Sequence, residues 1–164
     1  MENLPKCLEI KEIDKAYFAG LFDGEGTVRI FKNCNKKYIG YSLRVSFDVT
    51  YKSVLLRLQK LFSGNICIKD MEKRKNCKSI KKSVFSGCSL LYLKQVYAYT
   101  ISGKDALYFL KLIEPYCDEK KQQVIIGIKF EEGRQPRAGG VGRNDLETER
   151  CEFFYKELQR LKCE

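Results

Sequence analysis

The chain has no histidine, and its eight cysteines (Cys7, Cys34, Cys67, Cys77, Cys88, Cys117, Cys151 and Cys163) form no CxxC pair. Ligand spacing therefore argues against structural zinc, and isolated thiols are expected. No run approaches the roughly 18 apolar residues that a membrane-spanning helix needs, so no membrane partner of that kind is expected. The opening MENLPKCLEIKEIDK has no apolar signal core. An even cysteine count would suit a secreted disulfide framework. A chain of this length holds a core of its own, however, and lone thiols in a reducing compartment are expected instead.

What is present is a strong excess of positive charge. Lys and Arg number 31 against 21 acidic residues, a net charge of +10 that no histidine makes pH-dependent. Polyanions are its natural partners. The 164 residues, 44% of them hydrophobic, fit one domain spanning the whole chain.

Asp14 reads as the N-cap of a helix from Lys15 to Phe22, apolar nearly all round and hence buried, broken at Asp23-Gly24-Glu25-Gly26. Thr27 to Phe31 reads as a strand, with Val28 and Ile30 on one face and Arg29 and Phe31 on the other. After a turn at 33–37, Tyr41 to Tyr51 alternates: Leu43, Val45, Phe47 and Val49 against Ser42, Arg44, Ser46, Asp48 and Thr50. Ser53 caps a helix carrying Val54, Leu55, Leu58, Leu61 and Phe62, which Gly64 stops. A third strand is expected at Ile66 to Met71. Lys69 to Lys82, with seven basic residues against two acids, reads as an exposed loop or hairpin extension.

A fourth strand spans Leu91 to Ile101, placing Gln95, Tyr97 and Tyr99 on one face and Val96, Ala98 and Thr100 on the other. A helix follows from Ser102 to Pro115, with Leu107, Leu110 and Ile113 inward, and another from Asp118 to about Phe130. The Gly- and Arg-rich linker at 131–145 leads to an amphipathic helix from about Leu146. The expected class is α+β: an αββαββα core over about 14–130, with a four-stranded antiparallel sheet covered on one face, then C-terminal helices.

The uncovered face decides the function class. Arg29, Asn33, Ser42, Arg44, Ser46, Asp48, Lys69, Gln95, Tyr97 and Tyr99 are expected on it, Phe31 beside them, with Lys73 on the adjoining loop. Strands bearing such groups read base edges in the major groove, while loop lysines neutralise phosphates. Nucleic acid therefore leads the partner list.

Phe18-Ala19-Gly20-Leu21-Phe22-Asp23-Gly24-Glu25-Gly26 resembles the signature of the LAGLIDADG homing endonucleases. The element order from about Ala16 to Gln123 is similar to that family's core, whose sheet is saddle-shaped. The resemblance implies two such helices side by side, with Ala16, Ala19, Gly20 and Asp23 at the contact. Since the chain has one copy of the motif, it implies a homodimer. It further implies that Glu25 of each copy, helped by the Gly24 carbonyl, holds Mg²⁺, with Ca²⁺ or Mn²⁺ as substitutes. In the segment Glu114 to Gln123 a family lysine polarises the water or stabilises transition-state charge; Lys120 or Lys121 takes that role, Lys120 preferred. Tyr51 stands where the family often has a glutamine on the water network.

The implied activity is double-strand cleavage of a long pseudo-palindromic DNA target, leaving 3′ overhangs. The alternative is an intron maturase gripping RNA, or a non-cleaving binder, in which Phe31, Tyr97 and Tyr99 stack on bases. Family occurrence implies an organelle, chloroplast or mitochondrion, or a prokaryotic cytoplasm.

Overall fold

The structure is a computed structural model and describes residues 10–35, 38–69, 95–134 and 145–163. The basic segment from Asp70 to Lys82, with Lys73, and the linker at 135–144 lie outside the described residues. In chain order the elements are α1 (Glu12–Glu25), β1 (Gly26–Asn35), β2 (Tyr38–Val49), α2 (Lys52–Phe62), β3 (Asn65–Lys69) and β4 (Val96–Ser102). Then come α3 (Gly103–Ile113), a 3-10 turn (Glu114–Tyr116), α4 (Lys121–Glu132) and α5 (Asp145–Arg160). The sheet order is β1-β2-β4-β3 with every pair antiparallel. This is the expected α+β architecture.

Alternation along the strands sends one set of side chains towards the helices. Val28 and Ile30 of β1, Leu43, Val45 and Phe47 of β2, and Tyr99 and Ile101 of β4 are all buried there. Phe22, Phe47, Phe62 and Phe109 form an edge-to-face aromatic cluster at its centre, with Phe62 and Phe109 ring centroids 5.1 Å apart. Such packing contributes beyond the area it removes from water.

The first helix differs from its expected bounds at both ends. Its N-cap is Lys11, and Asp14 sits inside the first turn, paired with Arg57 of α2 at 2.8 Å. At the other end Asp23, Gly24 and Glu25 remain helical, and the strand begins at once with Gly26. Two glycines cost a helix only about 1 kcal/mol each, and burying Phe18, Ala19 and Phe22 outweighs that. Gly26 is there for space: a Cβ on it would lie 2.2 Å from Phe22 Cδ2 and 2.7 Å from the Phe22 carbonyl oxygen. Gly64, at φ +85°, turns α2 into β3 in the left-handed region, as expected of a helix stop.

The last helix is tied to the helix side of the sheet. Glu152 of α5 accepts a hydrogen bond from the Tyr41 hydroxyl and one from Lys32 Nζ at 2.7 Å. These contacts hold the Glu152 carboxyl below its ordinary pKa, Lys32 contributing most, and hold Lys32 above its own. Of the five cysteines among the described residues, Cys117 and Cys151 are buried and Cys34, Cys67 and Cys163 are exposed. No described helix is long and apolar enough to cross a membrane.

Candidate active site and nucleic-acid interface

Among the described residues, the helices cover one face of the sheet and leave the other open. Register places the open-face residues side by side: Arg29 opposite Arg44, Phe31 opposite Ser42, Asn33 opposite Gly40, and Asp48 opposite Ala98. The Arg44 guanidinium lies 4.1 Å from the Phe31 ring centroid, and its buried Nε has no hydrogen-bond partner among the described residues. Stacking on an aromatic ring fixes the plane of a guanidinium and leaves its outer N–H groups for a ligand. Lys69 of β3 reaches across to pair with Asp48.

On β4 the expected faces are reversed. Tyr99 is fully buried on the helix side, opposite Phe47, and its hydroxyl donates to the Ser63 carbonyl at 2.7 Å. Tyr97 lies on that same side opposite Val49, packed against the core. Its hydroxyl donates to Gln95, which precedes the strand. Tyr99 is therefore a core residue and Tyr97 a half-buried one on the helix side, neither on the open face, and Gln95 braces Tyr97. The open side carries Val96, Ala98 and Thr100 instead.

Thr100 completes a polar row that the sequence reading missed. Thr27, Ser46, Thr100 and Asn65 are consecutive partners across all four strands. The available signal was Ile101. A buried isoleucine fixes the parity of its strand, whereas tyrosines, apolar at the ring and polar at the tip, suit either face.

The second feature lies at the end of α1. Acids stabilise helix N-termini and destabilise C-termini, where the unpaired carbonyls already concentrate negative charge. Here Asp23 and Glu25 occupy the last turn, which has no basic residue of its own. Glu25 is exposed, as is Gly24. The compensating charge arrives from the turn before α4. Lys120 Nζ donates to the carbonyls of Phe22 (3.2 Å), Gly24 (3.4 Å) and Gly26 (2.9 Å). Lys121, the other lysine considered, is exposed as the first residue of α4.

Asp23 faces its own chain. Its Oδ2 accepts the Asp118 N–H at 2.9 Å and its Oδ1 accepts the Lys120 N–H at 3.1 Å. The neighbouring Cys117 thiol is pushed up to about 12, by burial first and by the charge of Asp23 second. Ala19 is fully buried in the core of its own chain. Ala19 thus presents no surface to a second copy, which corrects that expectation, whereas Asp23 is half-buried with both carboxylate oxygens engaged by its own chain. Ala16 and Gly20 are exposed, with Ile13 (75% exposed), Tyr17 and Gly24 on the same stretch of helix surface. Nothing lies within 4 Å of a Cβ built at Gly20 or Gly24.

Tyr51 is exposed immediately before α2. Among the described residues, no three acidic or thiol groups converge into a complete metal site within one chain. Glu25 and the Gly24 carbonyl are hard oxygen donors of the type Mg²⁺ and Ca²⁺ take, but they supply two of the roughly six such an ion needs. Their chemistry fits part of a hard-cation site.

A four-stranded antiparallel sheet with one open face, backed by a helix that ends in paired acids, defines the class: the chain has the LAGLIDADG homing endonuclease fold. Among solved structures, it superposes on the homing endonuclease I-CvuI in complex with its target in the presence of calcium. That match has TM-score 0.66 and 12% identity, over 91% of this chain and 82% of that one. I-TnaI, another homing endonuclease, matches with TM-score 0.59 and 14% identity over 90% and 92% of the two chains. I-SmaMI bound to uncleaved DNA with calcium matches with TM-score 0.60 and 16% identity, over 89% of this chain but 45% of that one. No family model and no curated protein matches the sequence.

Proposed function

We propose that the chain is a site-specific endonuclease that binds double-stranded DNA on its open sheet face and hydrolyses both strands as a homodimer. The observation carrying this reading is the convergence, at one helix end, of an exposed acid, Glu25, and a positioned ammonium, Lys120, beside an uncovered stripe of small residues. Helices meet closely only through such small residues, so Ala16, Gly20 and Gly24 allow a second copy of α1 to lie against the first. I-SmaMI, roughly twice the length matched, supports a site made of two such units.

In that dimer Glu25 of each copy, with the Gly24 carbonyl, would hold Mg²⁺, and Ca²⁺ or Mn²⁺ would take the same oxygens. When bound, such a cation would supply acidification of a water and charge neutralisation at the leaving 3′ oxygen. Lys120 stabilises the negative charge that develops on the phosphate. The Tyr51 phenol donates to the surrounding water. On the open face Arg29, Arg44, Asn33 and the Thr27–Asn65 row present base-reading donors and acceptors, while Lys69 and Lys73 serve the phosphates. Two copies related by a twofold axis read a pseudo-palindromic target and leave 3′ overhangs.

The test is incubation of the protein with Mg²⁺ and a randomised duplex library, with recovery of cleaved molecules. Wild type should yield one class of broken duplex with inverted half-sites, and Glu25→Gln should bind that class without cutting it. Binding without Mg²⁺-dependent breaks by wild type would reject the nuclease in favour of a non-cleaving DNA or RNA binder.

A further inference from the structure

The contacts between the end of α1 and the turn before α4 are reciprocal. The Asp23 side chain grips the backbone of that turn through two N–H groups, at 2.9 and 3.1 Å. The Lys120 side chain in turn grips the α1 backbone through three carbonyls. An ammonium on a four-carbon stem has ample rotamer freedom and places itself poorly unless its own backbone is fixed. Here the backbone N–H of Lys120 is fixed by Asp23, two residues before Glu25 on the same rigid helix.

We infer that Asp23 is a positioning residue: its carboxylate locks the Asp118–Lys120 turn so that the Lys120 ammonium stands beside Glu25 before any substrate arrives. The inference rests on the proposed role of Lys120 at the cleavage centre. It also accounts for an acid at the unfavourable end of a helix, since two backbone N–H donors of the turn are aimed at the Asp23 carboxylate. Fixing a side chain in advance removes an ordering step from the reaction, and a misplacement of about 1 Å can slow catalysis by on the order of a hundredfold.

The experiment is a double-mutant cycle on the duplex selected by wild type, read by single-turnover cleavage and by binding with Ca²⁺. Asp23→Asn keeps one acceptor and Asp23→Ala keeps none. Both should leave DNA affinity within about twofold while slowing cleavage, by roughly tenfold and a hundredfold respectively. In a Lys120→Met background either change should cost almost nothing more, because a residue acting only through Lys120 has nothing left to position. Should Asp23→Ala fail to fold, the Asp23→Asn cycle carries the same test. Losses that multiply in the double variant, or that fall on affinity and not on rate, would overturn the positioning role while leaving the nuclease standing. A wild type that cuts nothing would overturn the nuclease and this inference together.

Discussion

Glu152 shows how single side chains join the C-terminal helix to the sheet. Its carboxylate takes hydrogen bonds from Lys32 and Tyr41, two strand residues more than a hundred positions away in sequence. A carboxyl whose folded pKa is lowered contributes stability above its unfolded value, and that contribution disappears as pH falls through the folded one. Glu152→Gln should therefore lower the melting temperature by about 2–4 °C at neutral pH. The gap to wild type should close as the solution is acidified below the ordinary carboxyl value of 4.5, which thermal melts across a pH series would check. At this scale the sequence shows residue types and seldom partners. Lys120 was legible only through the resemblance of the segment around it, and its three carbonyl contacts depend on a turn whose shape Asp23 sets from 97 residues away.

At the scale of elements, α1 carries two faces with different fates. Phe18, Ala19 and Phe22 bind it to its own core, whereas Ala16, Gly20 and Gly24 are left uncovered. A Cβ at Gly20 meets nothing within 4 Å among the described residues, so Gly20→Glu should leave the folded monomer as stable as wild type or slightly more so, since helical Gly is poorer than most residues. The same change should place a charge in the helix pair. Sedimentation should show monomers in place of dimers, and cleavage should be lost with them.

Element types and order were readable because hydrophobic periods of 3.6 and 2 are strong in α2 and β2, where Leu55, Leu58 and Phe62, and Leu43, Val45 and Phe47, land in the core. The faces of β4 were not, because Tyr97 and Tyr99 are amphipathic and Ala98 is small, so alternation there gave no contrast. The end of α1 was misread for a related reason. Local propensity argues against a helix through Asp-Gly-Glu, and packing of Phe22 against Phe47 and Phe109 overrides it.

For the whole molecule, the net charge of +10 suits the proposed target, itself a polyanion. Affinity for the selected duplex should fall linearly on a log–log plot against salt, with a slope of about −0.9 per phosphate contacted. If each dimer makes about six such contacts, affinity should drop on the order of a thousandfold between roughly 50 and 200 mM salt. A flat salt response, measured by fluorescence anisotropy, would sink the nucleic-acid reading of the open face.

Gly26 gives that molecule its mechanical character. Phe22 closes over the position so tightly that no side chain fits, and α1 passes into β1 with no loop between Glu25 and the first paired residue. There is no slack at the junction. A tilt of the helix pair on meeting its twin would be delivered undamped to Thr27, Arg29 and Phe31, so in the proposed enzyme the grip on the sequence and the alignment of the blades would be one motion.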